Sequence, residues 1–207
     1  MTRAIDPTLI ADEYEIGRVR KLWATARDNG EWELAQSCFH PGATVIVSWY
    51  SGSVDGFFER AKQMLAARKP GHSSRHAIGN QRIQVQRARA TCESDALIQT
   101  RDFLDGHWFD YVSWSRFYDF LEKRDGAWRI VRWQTVYDKD RLDPVIPGSV
   151  PASFFDELDL AGARGGFALM EFRQKRSGRA VPPGVIMGGS ADEATLHAEG
   201  RAWRAGG

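Results

Sequence analysis

Two long β-rich runs meet at a single tight turn, and this limits the chain's folds more than any other feature. Residues 108–122 and 127–138 are dense in aromatic and β-branched side chains, and "KRDGAW" between them carries Asp125-Gly126. Asp-Gly between alternating apolar runs is a strong hairpin signal. Two further runs, 76–88 and 91–104, precede them with equally short connections. Four long strands joined this closely form an antiparallel meander, which leaves no room for alternating βαβ units.

Helices come first in the chain. Asp12 followed by Glu15 resembles a capping box, and Ile16, Val19, Leu22, Trp23 and Ala26 recur at helical spacing up to "RDNG". Asn29 and Gly30 suit a left-handed cap. A short helix is predicted over 31–39, a strand over 43–50 broken by "SGS", and an amphipathic helix over 54–69 that places Phe57, Phe58, Ala61, Met64 and Leu65 toward a core. The fold class is therefore α+β. One face of the sheet must be covered by helices, and strong curvature would make it wrap a hollow. The cluster Pro144, Pro147 and Pro151 marks a change of character. Residues 10–145 read as the main domain, and 146–207 as a C-terminal extension or arm. In that extension "PASFFDELDL" holds a helical turn, and about 173–207 reads as an arm or a disordered tail; residues from about 145 onward are expected to pack on a neighbouring subunit or to close the pocket mouth.

A formal net charge of +1 gives no reason to expect nucleic acid or a membrane as partner. The N-terminal stretch has no secretion-signal pattern, and Cys38 and Cys92 form no CxxC pair, so a reducing cytoplasm fits. There is no Walker loop, HExxH, metal-spaced cluster or GxSxG elbow. "GARGG" at 162–166 lacks the strand–turn–helix setting of a dinucleotide loop. An enzyme without these motifs would need no cofactor and no metal, and would rely on acid–base chemistry by its own side chains. The 8 Trp, 11 Phe and 5 Tyr, concentrated between residues 23 and 137, allow a large aromatic core or an aromatic-lined pocket.

Two residues break local rules. His76, one of only 5 histidines, opens a strand after a Pro-Gly loop. Asp28 sits in the last turn of its helix, where the dipole disfavours a carboxylate.

The segments "WATARDNGEWELAQSCFHPGATV", "SSRHAIGNQRIQV" and "SRFYDFLEKRDGAWRIVRWQTVYDKDRLDPV" resemble the SnoaL-like families of the nuclear-transport-factor-two-like superfamily. They are closest in pattern to the scytalone dehydratase and hexachlorocyclohexane dehydrochlorinase branch. The resemblance covers about residues 10 to 145 and implies a cone: a strongly curved antiparallel sheet wrapped on helices around an apolar pocket. It also implies that Asp28 and His76 form a catalytic pair, with His76 as general base; as a partly solvated polar pair they would contribute about 1 kcal/mol or less to stability.

Two positions depart from the branch. Trp23 stands where the dehydrochlorinase has a lysine, and Trp133 where it has an arginine. The cations that help a halide leave are then missing, which argues against dehydrochlorination and for a larger aromatic substrate or a differently shaped pocket. Tyr50 resembles a tyrosine that holds a water or carbonyl in the dehydratase. Strand parity adds Val131, Thr135 and Tyr137 beside Trp133, and Tyr111, Ser113, Ser115 and Phe117 on the neighbouring strand. Arg116 and Asp119 read as members of structural ion pairs.

The expected function is a cofactor-free lyase, by dehydration or retro-aldol cleavage, or an isomerase, acting on a small apolar or aromatic molecule. The chain would assemble as a homodimer or homotrimer. The competing reading is a non-catalytic ligand-binding module, or a partner subunit resembling the small subunit of ring-hydroxylating dioxygenases.

Overall fold

The computed structural model describes residues 6–158, 160 and 165–206. Residues 162–164 of the glycine cluster lie outside them. The elements are α1 (Pro7–Asn29), α2 (Trp32–Ser37), β1 (Phe39–Val47), β2 (Tyr50–Ser53), α3 (Val54–Ala66), β3 (Ser73–Gln86), β4 (Arg89–Leu104), β5 (His107–Arg124), β6 (Ala127–Pro144), α4 (Ala168–Arg176), β7 (Ile186–Met187) and α5 (Ala191–Ala205), with short 3-10 turns before α4. The sheet order is β2-β1-β6-β5-β4-β3, with β7 also paired to β6. None of the helices is long and apolar enough to cross a membrane among the described residues.

Helix α1 starts earlier than predicted. Asp6 caps it, accepting from the Thr8 and Leu9 amides, and Pro7 fills the first turn. Asp12 does not cap. Its carboxylate takes the Lys123 ammonium at 2.7 Å and the Trp128 indole N–H at 2.8 Å, tying α1 to the β5–β6 hairpin. Gly30, at φ 77, closes the helix as predicted. "SGS" does not simply end a strand: residues 50–53 turn back as β2 and pair antiparallel with β1. One pairing also differs from an all-antiparallel sheet, because β1 runs parallel to β6.

The meander is antiparallel throughout, but its register slips at three places: between Ile78 and Gln81, between Trp114 and Ser115, and between Phe120 and Leu121. Such bulges bend a strand and increase its twist, and they help curve the sheet. The slip opposite Phe120 and Leu121 falls at Val131. It turns Val131 to the outer face, beside Phe120 and Trp203, instead of leaving it beside Trp133.

The concave face and the helices enclose one core, which includes Ile16, Trp23, Phe57, Phe58, Phe117, Leu121, Ile130 and Trp133. Arg20 on α1 enters this core at 1% exposure. Its Nε donates to Asp119 on β5 at 2.9 Å, its NH2 also contacts that carboxylate, and its guanidinium lies 4.4 Å from the Trp133 ring and 4.7 Å from Trp23. The expected ion-pair roles of Asp119 and Arg116 are met by different partners: Asp119 takes Arg20, while Arg116 binds Asp138, Glu93 and Glu193.

The C-terminal extension is not a disordered tail: it holds α4 and α5, joined over 177–190 by turns and the two-residue β7. Helix α4 packs Met170 and Phe172 against Phe109, Tyr111, Tyr137 and Phe154. Helix α5, capped by Ser190, lays Leu196 on Tyr118 and Phe120 across the outer face. Gly200 allows the close approach, since a Cβ there would collide with the Tyr118 hydroxyl.

Two outcomes test this packing in urea. Leu196→Ala should cost about 2–5 kcal/mol, the range for truncating a buried leucine; an unchanged midpoint would mean α5 is not docked. Asp119→Ala should cost about 3–5 kcal/mol by leaving the Arg20 charge unpaired, whereas an Arg20→Met, Asp119→Leu double variant should recover most of the loss. A cheap single variant would contradict the buried pair.

Candidate active site

The last turn of α1 and the opening of β3 meet through one carboxylate. Asp28 Oδ2 accepts the His76 backbone N–H at 2.6 Å, and Oδ1 accepts from His76 Nδ1 at 2.7 Å. The guanidinium of Arg27 reaches Oδ1 at 3.2 Å and Ser74 Oγ at 3.3 Å. These donors offset the unfavourable helix dipole, so a poor helix residue becomes a good acceptor.

The side chains of Asp28 and His76 are 3% and 9% exposed. Burial would raise the Asp28 pKa, but hydrogen bonds from His76 and the charge of Arg27 hold it below the usual carboxylate value. Burial pushes the His76 imidazole below its ordinary value, only partly countered by the Asp28 hydrogen bond, and Arg27 pushes it further down. The pair is therefore carboxylate and neutral imidazole. With Nδ1–H donated to Asp28, the lone pair is on Nε2. Among the described residues Nε2 has no hydrogen-bond partner.

His76 borders a cavity of about 290 Å³. Its deep wall is aromatic. Trp23 meets the imidazole edge-on at 5.4 Å, Phe117 lies at 6.4 Å, and Trp133 packs against Trp23 at 4.7 Å. Three polar atoms on this wall are buried without a partner: Trp23 Nε1, Trp133 Nε1 and Thr135 Oγ1. A buried unmade hydrogen bond costs about 1–3 kcal/mol, so these groups would gain from a partner. Tyr137 also lines the cavity, but its hydroxyl already accepts from the Ser48 amide at 2.7 Å.

Of the residues expected from sequence, His76, Trp23, Phe117, Trp133 and Tyr137 line the cavity, and Asp28 sits behind His76. Tyr50, Tyr111 and Ser113 do not. Tyr50 folds back over its own hairpin, where its hydroxyl donates to the Ser53 carbonyl at 2.9 Å. Tyr111 and Ser113 have the right parity but lie further along β5. There α4 fills the space: Tyr111 lies under the Arg173 guanidinium and reaches Asp140, and Ser113 bonds Ser115.

Sequence reasoning missed Arg20 and Arg27, and it named no residue of the wall that α4 supplies through Met170, Arg173 and Gln174. Arg20 could have been found. It lies one helical turn before Trp23, and inward-facing Asp119 offers the opposite charge. Arg20 does not stand in for the lysine and arginine replaced by Trp23 and Trp133: it does not line the cavity, and its charge is met by Asp119. Among the described residues, Glu93 on β4 with Glu193 and His197 on α5 could hold a metal ion, but none of them lines the cavity, and Arg116 already contacts both carboxylates.

Residues 8–134 match the family model described as a SnoaL-like domain. A PEP2-like protein of Fusarium vanettenii is 30% identical over 173 residues, covering 81% of this chain and 71% of that protein. Among solved structures, a putative scytalone dehydratase from Novosphingobium aromaticivorans superposes with a TM-score of 0.55 at 18% identity, over 65% of this chain and 89% of the other. A type 2 hexachlorocyclohexane dehydrochlorinase superposes with a TM-score of 0.55 at 14% identity, over 67% and 91%. At such identities these structures establish a shared fold, and the match across most of the sheet and all of α1 to α3 establishes that the chain belongs to the SnoaL-like domain family.

Proposed function

We propose that this protein is a cofactor-independent lyase or isomerase acting on a small cyclic or aromatic molecule, with His76 as general base and Asp28 as the residue that positions it. The observation that carries the reading is the double acceptance by Asp28. One carboxylate takes both N–H groups of His76, which fixes ring orientation and tautomer and leaves Nε2 at an aromatic cavity. Family membership supports it, and so do fold neighbours whose names describe a dehydratase and a dehydrochlorinase.

In the dehydration we favour, Nε2 removes a proton from carbon next to a carbonyl. The electron pair forms the new C=C bond as the neighbouring C–O bond breaks. The imidazolium, stabilised by the Asp28 carboxylate, returns the proton to the departing hydroxyl, and water leaves. The indole N–H groups of Trp23 and Trp133 and the Thr135 hydroxyl are the available donors for the carbonyl oxygen, whose charge grows in the transition state. Proton abstraction from a substrate hydroxyl by the same nitrogen would instead give retro-aldol cleavage.

The test is a panel of β-hydroxy aryl ketones, followed by the absorbance of the conjugated product. His76→Ala should lower kcat at least about 10²-fold, and Asp28→Asn should lower it with the fold intact. A base must be neutral, so kcat/KM should fall as pH drops through the His76 pKa, with its acid limb below the ordinary imidazole value of about 6.5. Asp28→Asn removes a group that raises that pKa, so the limb should move lower still. Because the pair is buried rather than partly solvated, Asp28→Ala should cost about 1–3 kcal/mol of stability, above the about 1 kcal/mol expected for a solvated pair. Full turnover in His76→Ala would remove the base from the mechanism.

A further inference from the structure

The cavity's mouth carries more positive charge than its own carboxylates balance. Four arginines line it: Arg27, Arg68, Arg173 and Arg179. Two have partners. Arg27 faces Asp28, and Arg173 donates from Nε to Asp102 at 2.7 Å. Arg68, just beyond α3, and Arg179, beyond α4, make no ion pair among the described residues, and Arg179 donates only to the neutral Gln174 amide at 2.6 Å. Both side chains are half-buried. Burial lowers the pKa of each, and neighbouring cations add to it: Arg75 for Arg68, Arg173 and Arg60 for Arg179. Partly desolvated guanidinium groups of one sign, with no ion pair of their own and carboxylates acting on them only from a distance, favour an anion.

We infer that the ligand of this cavity is a ring compound bearing a carboxylate, held at the mouth by Arg68 and Arg179 while its ring lies against Trp23, Phe57, Phe117 and Trp133. The wall suits a ring because Trp23, Phe57, Phe117 and Trp133 all line the cavity. A singly charged, planar group suits the mouth better than a dianion. Guanidinium forks match a carboxylate, and Asp28 and Asp102 act on Arg68 while Asp102 also acts on Arg179, leaving the site less positive than two free cations. The inference rests on the reading of His76 as a base on this same cavity, and binding can be measured apart from turnover.

The experiment uses the full chain and three probes: 2-naphthoate, its neutral isostere 2-naphthamide, and 2-naphthyl phosphate, titrated by calorimetry. Naphthoate should bind at least about tenfold tighter than the amide, and the Arg68→Gln, Arg179→Gln double variant should lose that advantage while binding the amide as before. Raising the salt should weaken naphthoate and spare the amide. Both arginines are half-exposed, so thermal unfolding of the double variant should match the parent. His76→Ala should bind naphthoate within about twofold of the parent, because the base acts on chemistry rather than on ground-state charge. Selective binding beside unimpaired turnover in His76→Ala would therefore sink the base and leave the anion site standing. Equal affinity for acid and amide, no binding of either, a double variant that keeps the preference, or tighter binding of the phosphate would overturn the inference.

Discussion

One buried carboxylate joins the end of a helix to the start of a strand, and much of this site follows from that tie. Asp28 would be a poor choice if α1 ended in solvent. It is a good one because His76 presents a backbone N–H and a ring N–H to its two oxygens. The same contacts set the angle at which α1 meets β3 and the face that His76 turns to the cavity. Structure and chemistry share one interaction here, so changes at Asp28 act on both.

The cavity exists because the sheet bends and several elements wall the space. Bulges on β3 and along the β5–β6 pair help curve the meander, α1 and α3 cover the concave side, and α4 supplies part of the wall. Deep in the core, the Arg20–Asp119 pair sits among tryptophan and phenylalanine rings. It gives the aromatic wall a polar backing. Aromatic depth and a basic mouth give the site two chemically distinct ends.

Much of this was legible in the sequence, for identifiable reasons. Asp-Gly at 125–126 announced the hairpin, and Asp28 announced itself by breaking the helix-dipole preference. Alternation along β5 and β6 correctly placed Phe117, Trp133 and Tyr137. Alternation reports the face of a strand, however, and not how far along it a cavity extends, so Tyr111 and Ser113 were placed with the pocket although α4 fills their end. A one-residue bulge reversed Val131. The tail was misread because its helices carry few apolar residues: α5 docks chiefly through Leu196 and Trp203, seven positions apart, and through Gly200, whose value lies in having no side chain.

The central claim is that His76 is a neutral imidazole with its proton on Nδ1, bonded to Asp28, and a free lone pair on Nε2. Nitrogen-15 NMR of the histidine-labelled protein reads this directly, using His76→Ala for assignment. The expected result is a protonated Nδ1 and an unprotonated Nε2 at neutral pH, with the ring taking its second proton only at a pH below the ordinary imidazole value of about 6.5. A proton on Nε2, or titration of His76 at the ordinary value together with an unperturbed Asp28, would contradict the account.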